Sequence, residues 1–338
     1  MLWAERPFNH QEFTMKYRRL GKSGIKLSEI GLGGWLTFGH VANESTGREL
    51  IDTAFESGIN FFDTANVYAS GACESMWGQL LREYTRSSYV LATKVYFPMG
   101  DGPNDQGLSR KHIMEQCEAS LKRLDTDYID LYQCHRYDDE TPLEETIRAM
   151  DDLIHQGKIL YWGFSCWPAD KIRKTLKICG DRHYAPVSSQ PHYNMLMRDL
   201  EVEVLPVCRE HGIGQVVFSP LEQGILTGKY KPGEALPAGS RASDDRQNQW
   251  IKDLAGNQDM LERVQQLQSV ADEAACTIGQ LSLSWILQTA GITSCITGAT
   301  RTQQVRENCA ASGVELNPDQ LDRIDQIIMP ATFSHEFG

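Results

Sequence analysis

Ile129-Asp130-Leu131-Tyr132-Gln133-Cys134-His135-Arg136 is a short apolar run that finishes on an amide, a thiol, an imidazole and a guanidinium. Before it, Ile113, Cys117, Leu121 and Leu124 fall at helical spacing, and after it Ile147, Met150, Leu153 and Ile154 do the same. Apolar residues every three or four positions bury one face of a helix, whereas an apolar run buries a strand on both faces. A strand between two such helices is a βα unit of a parallel sheet. Packing gives a strand of this kind no reason to end on ionisable side chains, so its end is expected to open on a polar mouth.

The same construction repeats along the chain. Further strands are expected at Glu29–Leu32, Asn60–Asp63, Val90–Lys94, Tyr161–Ser165, Val187–Gln190, Gly214–Phe218 and Ser294–Thr297, making eight with Ile129–Gln133. Most are spaced by about 30 residues, the length of a βα unit. Ser109 before Arg110, and Thr141-Pro142 before Leu143, mark helix starts: a hydroxyl N-cap, joined in the second case by proline in the first turn. Ahead of the strands, Arg18–Gly21 and Ile25–Ser28 flank Lys22-Ser23-Gly24 as a β-hairpin. Eight units predict an α/β fold, a (β/α)8 TIM barrel with an N-terminal β-hairpin and a long loop after strand 7, between Ser219 and Ser294. The alternative, a doubly wound open sheet, would show G-x-G-x-x-G after its first strand, which Gly31-Leu32-Gly33-Gly34-Trp35 does not match.

Of the 338 residues, 41% are hydrophobic and 23% charged, so the chain can bury a large core. No linker-like stretch divides it, which predicts one domain over 15–338 after a polar extension, 1–14, that lacks the pattern of a secretory signal. With 45 acidic against 33 basic residues, the net charge of −12 argues against nucleic acid or an anionic membrane surface as partner. No apolar run is long enough to span a bilayer, so no membrane insertion is expected. Nine cysteines without metal-like spacing predict reduced thiols, a cytoplasmic location and no metal site.

The expected strand ends carry Asp63, Lys94, Gln133 to Arg136, Ser165, Gln190 and Ser219, with Tyr68 a few residues past Asp63. Singly each has an ordinary explanation: a structural histidine, a packed tyrosine, a buried ion pair. Together Asp63, Tyr68, Lys94 and His135 make a site for polarising a carbonyl. A phenol donates a proton poorly at neutral pH unless a cation favours its anion, so Lys94 is expected to lower the pKa of Tyr68 while Asp63 holds the ammonium. His135 would orient the carbonyl oxygen, and a hydride donor is then needed, because no primed nucleophile or metal cage is present. A Schiff-base aldolase, with Lys94 as nucleophile, is the competing barrel chemistry.

These residues occur in a wider pattern. Gly31-Leu32-Gly33, Asp63-Thr64-Ala65 with Tyr68, Thr93-Lys94, Gln133-Cys134-His135-Arg136, Gly163-Phe164-Ser165, Gln190 with Tyr193-Asn194, and Ser219-Pro220-Leu221 before Gly224 and Gly228-Lys229-Tyr230 resemble an aldo-keto reductase from Lys16 to about Pro330. Lys16–Gly24, Gly107–Ile113, Tyr161-Trp162-Gly163 and Ser240–Ser243 are most similar to the branch containing voltage-gated potassium-channel β subunits. That branch commonly has Asn where this chain has His135, the form usual in efficient reductases.

The resemblance implies NADPH-dependent reduction of aldehydes or ketones, with Tyr68 as general acid assisted by Lys94, Asp63 and His135. It implies nicotinamide held by Ser165 and Gln190 and stacked on Phe218, with Cys166 where the family usually has a polar side chain. Gly34, Trp35 and Asp63 would complete that end. Ser219, Pro220, Leu221, Gln223, Gly224, Lys229 and Arg241 would follow the pyrophosphate, and Gly298, Thr300, Arg301, Gln304, Glu307 and Asn308 the adenosine. Cations and a hydroxyl at Arg301, Arg241 and Thr300 favour the 2′-phosphate of NADPH/NADP+. Trp35, Tyr68, Tyr96, His135 and Trp167 would face a small carbonyl substrate. A homo-oligomer, tetramer or octamer, and the alternative role of a cofactor-sensing subunit on a membrane channel also follow from the branch.

Overall fold

Leu20 and Leu27 flank the turn of a two-stranded hairpin, β1 (Tyr17–Arg19) and β2 (Lys26–Ser28), which pairs Tyr17 with Ser28. They are fully buried against Phe61 and Val90, the first residues of two barrel strands, and against Ala92, Leu131, Val216 and Ile296. The hairpin thus closes the N-terminal end of the barrel with apolar side chains. Gly21 permits this approach: it has φ +57, and an added Cβ would lie 2.1 Å from the Gly212 carbonyl oxygen.

The computed structural model describes residues 14–244 and 251–329, so residues 1–13 of the expected extension lie outside it. Eight parallel strands follow the hairpin: β3 (Ile30–Gly33), β4 (Phe61–Asp63), β5 (Val90–Val95), β6 (Ile129–Cys134), β7 (Ile159–Ser165), β8 (Ser188–Gln190), β9 (Gly214–Val217) and β10 (Ile292–Thr297). They close in sequence order, β10 pairing with both β9 and β3. This is the (β/α)8 TIM barrel. The expected strands lie within two residues of the observed ones, and the open-sheet alternative is excluded by closure.

The helices are α1 (Glu44–Glu56), α2 (Ala72–Leu81), α3 (Arg110–Leu124), α4 (Leu143–His155), α5 (Ala169–Cys179), α6 (Val204–His211), α7 (Lys252–Gly256), α8 (Gln258–Glu273), α9 (Ile278–Gln288), α10 (Thr302–Cys309) and α11 (Pro318–Ile328). The helical spacing in α3 and α4 buries Ile113, Cys117, Leu121 and Leu124, and Ile147, Met150 and Leu153. Each large apolar side chain removed from water contributes about 1.5–3 kcal/mol. Ser109 caps α3 by accepting the His112 N–H. Thr141-Pro142 behaves differently from expectation: Pro142 is itself the N-cap of α4, and the Thr141 hydroxyl donates to Asp138 instead. The connection from β9 to β10 contains α7, α8 and α9, with 245–250 outside the described residues.

All nine cysteines are free thiols. Among the described residues no cluster of His, Cys, Asp and Glu could hold a metal, and no helix is long and apolar enough to cross a membrane.

Candidate active site

Parallel pairing brings the strand ends to one rim: Lys94 stands opposite Gln133, and Ser165 opposite Gln190. There the Lys94 ammonium lies 2.5 Å from Asp63 Oδ1 and donates to the Thr64 carbonyl at 2.6 Å. The other carboxylate oxygen accepts from Gln190 Nε2 at 2.9 Å and from Gln133 Nε2 at 3.4 Å. Tyr68 begins a 3-10 turn, Tyr68–Gly71, in which Ala69 and Ser70 adopt left-handed conformations at φ 49° and 52°. Its ring centroid is 5.1 Å from Lys94 Nζ and 5.8 Å from the His135 ring, which meets it edge-on. Asp63, Tyr68, Lys94 and His135 therefore meet at the mouth.

Burial governs the charges. Lys94 is fully buried and Asp63 is 3% exposed. Burial raises the pKa of Asp63 and lowers that of Lys94, and each charge opposes the shift in the other. The Tyr68 phenol is pushed well above its ordinary range, by burial first and then by the Asp63 carboxylate. The expected lowering of the Tyr68 pKa is therefore not the net result. Asp63 neutralises the ammonium, and the loss of water around the phenol outweighs what remains. Tyr68 consequently keeps its O–H across the neutral range. His135 is held well below the ordinary histidine range by burial, then by Lys94 and Arg136. Its imidazole is neutral, and its Nδ1 is buried without a partner among the described residues, so a ligand could satisfy it.

A barrel whose rim gathers these groups matches the model of the aldo/keto reductase family over residues 29–329. The chain belongs to that family. It is also 44% identical over 322 residues to an Arabidopsis thaliana protein named "Probable voltage-gated potassium channel subunit beta", covering 93% of this chain and 97% of the relative. A protein of the same name from Oryza sativa subsp. japonica is 40% identical over 321 residues, with the same coverage of both chains.

Aldo/keto reductases are oxidoreductases that generally use NAD(P)H. In this aldo/keto reductase the rim beyond β9 fits such a group. Phe218 stacks on His192 at 5.2 Å, and Ser219, Glu222, Gln223 and Gly224 then turn the backbone through positive φ. Glu222, buried in that turn, accepts from His192 Nε2 at 2.7 Å and Asn194 Nδ2 at 2.6 Å, while the same Asn194 amide donates to the Ser219 carbonyl at 3.0 Å. Pro220 is buried and Leu221 half-buried beside it. Gln223 donates to Ser219 Oγ at 3.1 Å and accepts from Arg241, whose guanidinium lies 5.7 Å from the Trp35 ring centroid. Partial burial of the Lys229 ammonium, then the charges of Arg241 and Arg301, lower its pKa. Three cations sharing one region are what a dinucleotide's phosphates would neutralise.

Gly298 has open space where a Cβ would stand. Thr300 N, Thr300 Oγ1 and Arg301 N all donate to Gln304 Oε1, at 2.8, 3.2 and 3.1 Å, so Gln304 braces the loop that starts α10. Glu307 accepts from Gln303 at 2.7 Å, and Asn308 is half-buried on the same helix. Thr300 and Arg301 line a surface recess with Thr46, Glu49 and Leu50 of α1.

At the ends of β7 and β8, Ser165 Oγ donates to the Gln190 carbonyl at 2.8 Å, and Cys166 is left-handed at φ 53°. Gly34 admits no side chain, because a Cβ would meet Cys73 Sγ at 2.5 Å. Tyr96 is half-buried, edge-on to Phe97 at 5.2 Å. Trp167 departs from the expected substrate wall: 2% exposed, it stacks on Phe164 at 5.0 Å and meets Tyr137 edge-on at 5.0 Å, so its surface is spent on packing. Glu222 is not among the site residues expected from the sequence. Its only signal was an acid between Leu221 and Gln223 in a turn otherwise suited to phosphate.

Proposed function

We propose that this chain reduces small aldehydes and ketones to alcohols with NADPH, using Tyr68 as proton donor. The convergence of Tyr68 and His135 on the buried Asp63–Lys94 pair carries the reading. When bound, the dinucleotide supplies the hydride. Tyr68 gives its hydroxyl proton to the carbonyl oxygen, a transfer its protonated state permits at neutral pH. Neutral His135 orients that oxygen, and Lys94, held by Asp63 and the Thr64 carbonyl, stabilises the phenolate left behind. Ser165, Gln190 and Phe218 would hold the nicotinamide, Lys229 and Arg241 the pyrophosphate, and Thr300 and Arg301 the 2′-phosphate. Trp35 and Tyr96 would flank the substrate.

Titration of purified protein with NADPH and NADH, followed by a panel of aromatic and aliphatic aldehydes, tests this. Tighter NADPH binding with aldehyde-dependent NADPH oxidation is expected. Binding without oxidation on any aldehyde would leave the second reading, a cofactor-sensing subunit that docks on a channel, which the names of the relatives support. Trapping of substrate on Lys94 by borohydride would instead indicate Schiff-base chemistry.

A further inference from the structure

We propose that Arg136 anchors an anionic group of the substrate, so that the preferred carbonyl compounds carry a carboxylate or phosphate a few bonds from the reacting carbon. The inference rests on the reductase reading and assigns its substrate class. Arg136 follows His135 directly and is half-buried. Its guanidinium carbon is 5.5 Å from the Phe97 ring centroid, and the same ring meets the His135 imidazole edge-on at 4.8 Å. Guanidinium and imidazole thus lie along one aromatic wall of the mouth.

The hydrogen bonding of this guanidinium is incomplete. Nη1 donates to the His135 carbonyl at 2.7 Å, which fixes the plane of the group. Nε is buried without a partner among the described residues. The Nε–Nη2 edge is the fork that takes a carboxylate or phosphate through two parallel hydrogen bonds. Three nearby acids have other partners: Asp63 pairs with Lys94, Asp139 with Lys171, and Asp138 accepts from the Leu108 N–H and the Thr141 hydroxyl, both at 2.7 Å. With Asp63 paired to Lys94, the positive charge on Arg136 meets no ion-pairing carboxylate among the described residues, with Asp138 and Glu140 in the loop that follows. That charge is felt at the site, where it lowers the pKa of both His135 and Lys94.

The test compares kcat/KM for two matched pairs, 4-carboxybenzaldehyde against benzaldehyde and glyceraldehyde 3-phosphate against glyceraldehyde, in wild type, Arg136→Gln and Arg136→Lys. Wild type is expected to favour the anionic member of at least one pair. Arg136→Gln should cut that anionic-to-neutral ratio by about 10- to 100-fold, the effect of one charge-assisted contact, chiefly through KM. Arg136→Lys should restore part of it. Calorimetric titration with 4-carboxybenzyl alcohol, and with glycerol 3-phosphate, should show the matching loss of affinity in Arg136→Gln. The pair that responds identifies the anion as carboxylate or phosphate. A merely structural arginine would lower both members of a pair together, and an unchanged ratio in both pairs overturns the proposal while leaving the reductase reading intact. Failure of wild type to reduce any of the four aldehydes overturns both.

Discussion

Replacing Lys94 by Met removes one partner of a buried ion pair and leaves the other in place. The methionine fills much of the lysine's volume, but Asp63 loses the ammonium at 2.5 Å and the Thr64 carbonyl loses its donor at 2.6 Å. Two amides, Gln190 and Gln133, still donate to Asp63. Breaking a buried pair on one side costs about 3–5 kcal/mol, and the retained amides place this variant near the lower end at pH 7. The deficit should depend on pH in a definite direction. Burial already raises the pKa of Asp63 in the folded protein, and losing Lys94 raises it further. A carboxyl whose folded pKa exceeds its unfolded one favours the folded state below the unfolded pKa and loses that contribution as pH rises through the folded pKa. Acidification from pH 7 towards 5 should therefore narrow the gap to wild type. Urea denaturation midpoints for wild type, Lys94→Met and the double variant Asp63→Asn/Lys94→Met at both pH values provide the measurement. The double variant, lacking the stranded charge, should recover much of the loss. A Lys94→Met protein as stable as wild type at pH 7, or a double variant no better than the single one, would refute the account of Lys94 as the charge that makes Asp63 tolerable in the core.

Tyr68→Phe should lower kcat by about 10²- to 10⁴-fold, the usual contribution of a general acid, with NADPH affinity nearly intact by fluorescence titration; wild-type rates would remove Tyr68 from the mechanism. Arg301→Ala should weaken NADPH much more than NADH, by about 1.5–3 kcal/mol if one charged hydrogen bond is lost, and equal losses for both would overturn the 2′-phosphate assignment. Because burial, Lys94 and Arg136 hold His135 well below the ordinary histidine range, kcat/KM should show no imidazole inflection between pH 6 and 8. An inflection there that vanishes in His135→Gln would contradict a neutral imidazole.

The signals that specify the barrel are local in the sequence. Ile113, Cys117, Leu121 and Leu124 repeat at the pitch of a helix, and all four are buried in α3. Strand ends at Asp63, Lys94, Gln133, Ser165 and Gln190 were legible as polar interruptions of apolar runs, and parallel pairing carries them to one rim. Other features had no local signal. Trp167 looked like a pocket residue by position, yet Phe164 and Tyr137 enclose it. Glu222 reads as one more surface acid until His192 and Asn194, from the preceding crossover, are seen to hold it in the core. Thr141-Pro142 had the composition of one helix start and the geometry of another, because Asp138 claimed the hydroxyl.

Periodicity and the identity of strand-terminal residues were enough to specify a closed barrel and the side chains at its mouth, since apolar runs and helical repeats are written residue by residue. The protonation states of those side chains were decided only by tertiary structure. Gln190 reaches Asp63 across 127 positions of chain, and the pKa of the Tyr68 phenol is raised, against expectation, by water it has lost and by the Asp63 carboxylate at the end of the strand before it. Desolvation and Coulomb forces act through space, so the acid–base character of the site belongs to the folded arrangement.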